Sequence, residues 1–173
     1  MKRYDLTAEM YEERYAVEQK EKFKVALENV RVARRTVLDV GCGSGLFFSH
    51  VATEAKLVIG VDISRKLLLK ANDRAKAFGN VAVLQADADH LPVRDNLFDV
   101  IFSFTVLQNM PEPCDTLDEI KKASKRRGEI VVTGLKKAFP LDKFADILNG
   151  SGLRLVSFVE KEDLNCYVAT LTN

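Results

Sequence analysis

Residues 36–46, Thr-Val-Leu-Asp-Val-Gly-Cys-Gly-Ser-Gly-Leu, constrain this chain more than any other stretch, because an apolar run ends there in three glycines at alternate positions. Thr36, Val37, Leu38 and Val40 suit a buried strand rich in β-branched residues. Gly41, Gly43 and Gly45 let the backbone turn sharply and lie close against a ligand. The helix expected next, from about Ser44 through Glu54, points its free N–H groups at whatever occupies the turn. A strand feeding a glycine-rich turn is a ligand-binding arrangement, and the question is which ligand.

The 173 residues, 47% hydrophobic and 29% charged, predict one domain over 1–173 with a real core. A net charge of +1 gives no global reason to bind nucleic acid, although a local patch could. Cys42, Cys114 and Cys166 form no CxxC pair, which indicates neither a disulfide framework nor a zinc site and fits a reducing compartment. The polar N-terminus and the lack of any stretch of ~18 apolar residues predict a cytoplasmic protein without a membrane partner.

The first 33 residues read as helix, broken near Ala16, with Phe23, Ala26 and Val30 at helical spacing. Tyr4, Tyr11 and Tyr15 lie in this segment, either packing it on the sheet or serving a lid that touches ligand. Strands follow at 57–62, 81–86, 98–104, 129–133, 153–159 and 165–171. Between them, helices are predicted from Ser64 to Gly79, from about Asp115 to Lys125, and from Pro140 with Leu141, Phe144 and Leu148 inward. The last two strands have no helix between them and should pair antiparallel. The expectation is an α/β, doubly wound, mostly parallel seven-stranded sheet with an antiparallel C-terminal hairpin.

Ligands of such sheets bind beyond the carboxyl ends of the strands, near the point where strand order reverses. Asp62 falls there, 21 positions after Gly41, where a carboxylate can accept from a ribose hydroxyl; Asp87 and Ser103-Phe104 end the next two strands. A nicotinamide-dinucleotide oxidoreductase is the rival reading. Its G-x-G-x-x-G fingerprint needs a glycine where this chain has Leu46, and a P-loop is excluded because no Gly-Lys-Ser/Thr follows the turn.

With these residues in hand, the chain resembles the class I S-adenosylmethionine-dependent methyltransferases, within them the small type 11-like members. Residues 37–45 look like the first motif, Gly60-Val61-Asp62-Ile63-Ser64 the second, and Ala86-Asp87-Ala88 with Leu91-Pro92 and 96–101 the third and fourth. Tyr4-Asp5 through Tyr11 is similar to an opening found in this subfamily. The resemblance implies S-adenosyl-L-methionine as cofactor. Asp39 and the Gly41 backbone would hold its amino group, with Gly43 and Gly45 completing the turn and Cys42 a small filler there. Asp62 would take both ribose hydroxyls, Ile63 would pack on adenine, and Asp87 with Ala88 would meet the base edge. Ser103 and Phe104 would border the methionine end, and Tyr11 would reach its carboxylate.

The sulfonium carries a reactive methyl, so catalysis is mostly positioning, and no residue is forced into the role of base. Residues placed toward the acceptor are Tyr4, Tyr15, His90, Asn109 and Lys136; His50 reads as structural. The Asn/Asp-Pro-Pro-aromatic run typical of members that methylate planar amines is missing after the fourth strand, where the chain has Thr105 to Met110. A small metabolite, RNA or a protein stay open as acceptor, as does a cofactor-binding partner subunit of a methyltransferase complex.

Two further expectations concern surfaces. Lys125, Arg126 and Arg127 suit a helix C-terminus, whereas Lys136 and Lys137 follow the fifth strand and should rim the active-site end. Only 11 residues, Asp87 to Leu97, join the third strand to the fourth, too few for an ordinary crossover helix. The resemblance puts the third strand at the sheet edge. Either Leu91 and Val93 fold back over it, or a partner chain docks there by adding a strand.

Overall fold

The computed structural model describes residues 19–173. Helix α1 covers residues 19–28 and is followed by β1 (Thr36–Val40), α2 (Phe48–Val51), β2 (Leu57–Asp62), α3 (Arg65–Ala75), β3 (Val81–Gln85) and β4 (Phe98–Ser103). A 3-10 turn at Leu107–Asn109 leads to α4 (Pro113–Ala123), β5 (Ser124–Leu135), α5 (Leu141–Gly150), β6 (Arg154–Val159) and β7 (Cys166–Thr172). The seven strands form one sheet in the order β3-β2-β1-β4-β5-β7-β6. Pairing is parallel from β3 through β5 and antiparallel for β5 with β7 and β6 with β7, as the sequence pattern predicts. The chain winds outward from β1 to β3, returns to β4, and so reverses at the β1–β4 junction, which is where a ligand cleft opens.

Period-two alternation gives each sheet face its own core. Val37, Val58, Val100, Phe102 and Val131 face α1, α2 and α3, with Phe23, Phe48, Leu68 and Ala71 packed against them. Leu38, Ile101, Ile130 and Val132 face α4 and α5 through Leu117, Ile120, Phe144 and Leu148. Ser64 caps α3 by accepting from the Leu67 amide at 3.3 Å.

The boundaries move where tertiary contacts outweigh local pattern. Of the helix expected through residue 33, the described part stops at 28, and residues 1–18, with Tyr4, Tyr11 and Tyr15, lie outside the described residues. Helix α4 starts and ends two residues early, so Lys125, Arg126 and Arg127 belong to β5 and cap no helix. Lys125 instead donates to Asp99 Oδ1 at 2.7 Å, and the Arg127 amide donates to the Asn173 carbonyl at 2.8 Å. Helix α3 ends at Ala75, four residues before Gly79. In α5 the buried stripe is Phe144, Ile147 and Leu148, while Leu141, in its first turn, is 46% exposed.

The connection from β3 to β4 contains no helix, and β3 lies at the sheet edge as expected. Leu91 is buried and Val93 packs against the second core, so the loop does fold back. Leu84 nevertheless keeps 38% exposure. The Val58 amide donates to the Asn80 carbonyl and the Ala86 amide to the Asp62 carbonyl. By alternation, the Ala82 and Leu84 amides face β2 whereas those of Val81, Val83 and Gln85 point away from the sheet. Hydrogen exchange on dilute, monomeric protein should therefore find Leu84 protected and Val83 and Gln85 fast; slow exchange at Val83 there would mean that the edge is already covered within the chain and remove the reason to look for a partner.

Candidate functional site

The site is built on the turn after β1. Gly41, with φ at +72°, opens it, and a Cβ there would lie 2.3 Å from Val106 Cγ2, so only glycine fits beneath the loop that follows β4. The amides of Gly41 and Cys42 both donate to the Val61 carbonyl, at 2.8 and 3.0 Å, which stitches the turn to β2. The Gly43 amide donates to Asp62 Oδ2 and the Ser64 amide to Asp62 Oδ1, each at 2.8 Å. Arg74 Nη1 from α3 donates to both the Ser44 carbonyl and the Ser44 hydroxyl at 2.8 Å. The loop is thus fixed before any ligand arrives.

The helix expected from Ser44 is not formed. Residues 43–47 turn, Gly45 sits at φ +80°, and α2 is a single turn that starts once Phe47 and Phe48 have entered the core. Burial of two adjacent phenylalanines directs the chain here, and no long helix aims its N-terminus at the ligand.

Asp39 is 1% exposed, and its Oδ2 has no hydrogen-bond partner. Burial, reinforced by the nearby Asp62 carboxylate, raises its pKa from 3.8 to about 8. The Cys42 thiol is likewise pushed up, by burial and then by the two aspartates, which makes it inert. A carboxylate at Asp62 beside the buried Asp39 carboxyl makes the turn unfavourable for a pyrophosphate and favourable for a cation, whose entry would release the Asp39 proton. An amine offered to Asp39 would satisfy its orphan oxygen, and the Asp62 carboxylate, which accepts from two backbone amides, stands beside it on the same turn.

Above Asp39 the space narrows to a cavity of about 20 Å³, lined by Gln19, Phe23, Asp39, Gly41, Cys42 and Phe104 among others. That holds roughly one water. Its roof is α1, whose Phe23 ring lies 4.9 Å from Phe47 and 4.8 Å from Phe104, and Phe104 stacks on Phe102 at 5.6 Å. His50 sits on α2 beside the Phe23 ring at 5.3 Å and takes no part in the cavity, in line with a structural role.

Asp39, Gly41, Cys42 and Phe104 come together at this cavity; Gly43 and Asp62 meet beside it through their hydrogen bond. Ile63, 37% exposed, and the exposed Asp87 with half-buried Ala88 follow the ends of the adjacent strands β2 and β3, with Asp87 Oδ1 accepting from the Asp89 amide at 3.2 Å. Ser103 is buried away from the cavity lining, and its Oγ has no partner. His90 is exposed on the β3–β4 loop.

Two of the residues placed toward the acceptor already have partners within the chain. Asn109 Nδ2 donates to the Thr105 carbonyl at 2.9 Å, so it is engaged in holding the turn after β4. Lys136 Nζ donates to the Lys161 carbonyl at 2.6 Å, lies 3.9 Å from Glu160 and sits over the Tyr167 ring, which commits it to the β6–β7 loop. Phe23, Gln19, Phe47 and Val106 were missed as site residues. Phe23 carried a helical-face signal that reads only as core; which aromatic rings it meets is set by folding.

This arrangement defines an α/β nucleoside-type cofactor site with an acidic floor and an aromatic roof. Residues 32–151 match a family model described as a methyltransferase domain, and the chain belongs to the class I S-adenosylmethionine-dependent methyltransferases. Its cofactor is S-adenosylmethionine, and the orphaned Asp39 oxygen and the Asp62 clasp fit that cationic nucleoside. The chain is 35% identical over 141 residues to a tRNA U34 carboxymethyltransferase of Hahella chejuensis, covering 73% of this chain and 44% of that protein. It is 35% identical over 122 residues to a ubiquinone/menaquinone biosynthesis C-methyltransferase of Azotobacter vinelandii, covering 67% and 48%. It therefore spans less than half the length of these two curated relatives. In fold it is similar to a SAM-dependent methyltransferase from Aquifex aeolicus, with a TM-score of 0.84, 22% identity and 97% coverage of both chains. Among the described residues no helix is long and apolar enough to cross a membrane.

Asp39 generates a pH prediction. The folded chain keeps the Asp39 proton up to about pH 8, whereas the unfolded chain releases it near 3.8, so the folded state binds more protons across that window. Ligand-free stability therefore falls as pH rises from about 4 to 8. Asp39→Asn should flatten this slope and raise the ligand-free Tm at pH 8, by a stabilisation on the order of a few kcal/mol. Thermal melts across pH check this, and an unchanged slope refutes it.

Proposed function

We propose that this chain transfers a methyl group from S-adenosylmethionine to a small organic acceptor. The observation that carries the reading is the buried Asp39 carboxyl with its unpartnered oxygen, set beside Asp62 over the glycine turn. In this reading Asp39 and the Gly41 backbone hold the amino group, Asp62 the ribose hydroxyls, Ile63 packs on adenine, and Asp87 with Ala88 meets the base edge. Ser103 supports the floor beside β1, and Phe104 shapes the space where the sulfonium faces the acceptor. The bound cofactor supplies an activated methyl on a cationic sulfur.

The protein's own contribution is alignment and exclusion of water. Phe23, Phe47 and Phe104 close the roof, and their ring faces suit both a sulfonium and an apolar or planar acceptor. No base is assigned, because His90, near the base-binding end, is exposed and Asp39 is committed in this reading to the cofactor's amino group. The aromatic roof favours the small-molecule reading over a tRNA acceptor, although a curated relative is named for tRNA. A second reading, a partner chain at the outward edge of β3, is favoured by the exposed Leu84 on a strand at the edge of the sheet.

Asp62→Ala should weaken S-adenosylmethionine binding at least tenfold, since roughly 1.5–3 kcal/mol attaches to each lost charge-assisted hydrogen bond. Calorimetry on a variant that keeps its circular dichroism decides it, and unchanged affinity would move the cofactor elsewhere. Labelled methyl transfer to a panel of phenols, quinols and carboxylic acids, run beside bulk tRNA, tests the acceptor class; label in tRNA alone would overturn the small-molecule reading.

A further inference from the structure

The connection from β3 to β4 carries the two residues assigned to the base edge, Asp87 and Ala88, yet it contains no helix of its own to hold them. Support has to come from elsewhere in the fold. Within the loop, Asp87 Oδ1 accepts from the Asp89 amide at 3.2 Å, and the Asp87 carbonyl accepts from the His90 amide at 3.1 Å. The direction of the Asp87 carboxylate therefore follows the placement of Asp89 and His90.

Helix α4 supplies that placement. Thr116 Oγ1 donates to Asp89 Oδ1. Nearly one turn further on, Glu119 Oε2 accepts from the Leu91 amide at 3.3 Å, while Glu119 Oε1 accepts from Lys122 Nζ at 2.6 Å. Residues three apart share a helix face, so α4 grips the loop at two points, one on either side of His90.

Packing accounts for one of these grips and not for the other. Leu91 is buried in the second core, and a backbone amide taken there needs an acceptor, which Glu119 provides. Thr116 is 0% exposed, next to Leu117 and one turn from Ile120, both members of the same core. A valine of the same shape would fill that place without a hydroxyl, and a hydroxyl removed from water needs a partner of its own. The partner found is the residue whose amide holds the Asp87 carboxylate.

On the cofactor reading given above, in which Asp87 meets the base edge, we propose that Thr116 is a positioning residue for the selection of adenine. It acts through Asp89, setting the Asp87 carboxylate to accept from the exocyclic amine of the base. Hypoxanthine carries a carbonyl at that place, sets an oxygen against the same carboxylate and is rejected. Without the Thr116 hydroxyl the turn at Asp87 loses its tether to α4, and the rejection weakens while the contacts to the ribose and the amino-acid end persist.

The full chain, Thr116→Val, Thr116→Ser, Asp89→Ala and Asp87→Ala are titrated by calorimetry with S-adenosylhomocysteine and with S-inosylhomocysteine, its deaminated analogue. The quantity read is the ratio of the two affinities, which a general loss of stability does not move. Wild type should favour the adenine ligand by about tenfold or more, and Asp87→Ala should bring the ratio near one. Thr116→Val and Asp89→Ala should each cut it by at least about threefold, and Thr116→Ser, which keeps the hydroxyl, should stay within about twofold of wild type. A wild-type ratio in both Thr116→Val and Asp89→Ala overturns the proposal, as does a Thr116→Ser ratio that falls with that of Thr116→Val. Should Thr116→Val not fold, Asp89→Ala, in the loop, decides alone. A ratio that Asp87→Ala leaves unchanged overturns the base-edge assignment and the proposal with it, whereas a wild-type chain that binds neither nucleoside fails the cofactor reading itself.

Discussion

The Asp62 carboxylate is the clasp on which the rest of the site depends. One oxygen accepts from the Gly43 amide and the other from the Ser64 amide, so a single side chain joins the turn after β1, the end of β2 and the cap of α3. Charge-assisted hydrogen bonds to backbone amides are stronger than neutral ones, and here they fix three elements before ligand binds. Arg74 reinforces the same arrangement from α3 through Ser44. Preorganisation of this kind spares the cofactor the entropic cost of ordering its own cradle.

A second carboxyl, Asp39, lies within the field of the first. Both would be ionised in water; burial of Asp39, reinforced by the half-buried Asp62 beside it, keeps the proton on Asp39 to about pH 8. A cation that enters displaces that proton's role, whereas a pyrophosphate meets repulsion. The difference between a methyl-donor site and a dinucleotide site on related sheets therefore lies in charge as much as in glycine spacing. The aromatic roof completes this logic, since ring faces attract cations and exclude water.

The opposite end of the sheet serves stability. Thr36 donates through both its amide and its hydroxyl to Asp99 Oδ2, Lys125 donates to Asp99 Oδ1, and Arg35 pairs with Glu129. These contacts tie the starts of β1, β4 and β5 together and account for basic residues that look, in sequence, like a helix terminus or a free patch. Function and fold stability are thus segregated to the two ends of the same strands, as expected of a sheet whose ligands bind at its carboxyl end.

Much of this was legible in the sequence. Alternation of apolar runs and helical stripes, glycines at the turn, and acids after the strands are encoded by near neighbours, so element order, sheet class and the positions of Asp39 and Asp62 follow from local chemistry. The sequence by itself could not decide what depends on distant partners. The helix after the glycine turn shrank because Phe47 and Phe48 had to reach the core. Lys125 to Arg127 became strand because Asp99 and Asn173 were there to meet them, and Lys136 turned to the β6–β7 loop. Lys22 reads as the partner of Glu18, one helical turn away, on the exposed side of an amphipathic helix. Only tertiary structure buries it against Thr105, 83 residues away, because burial is a property of what folds over a side chain and not of its neighbours along the chain.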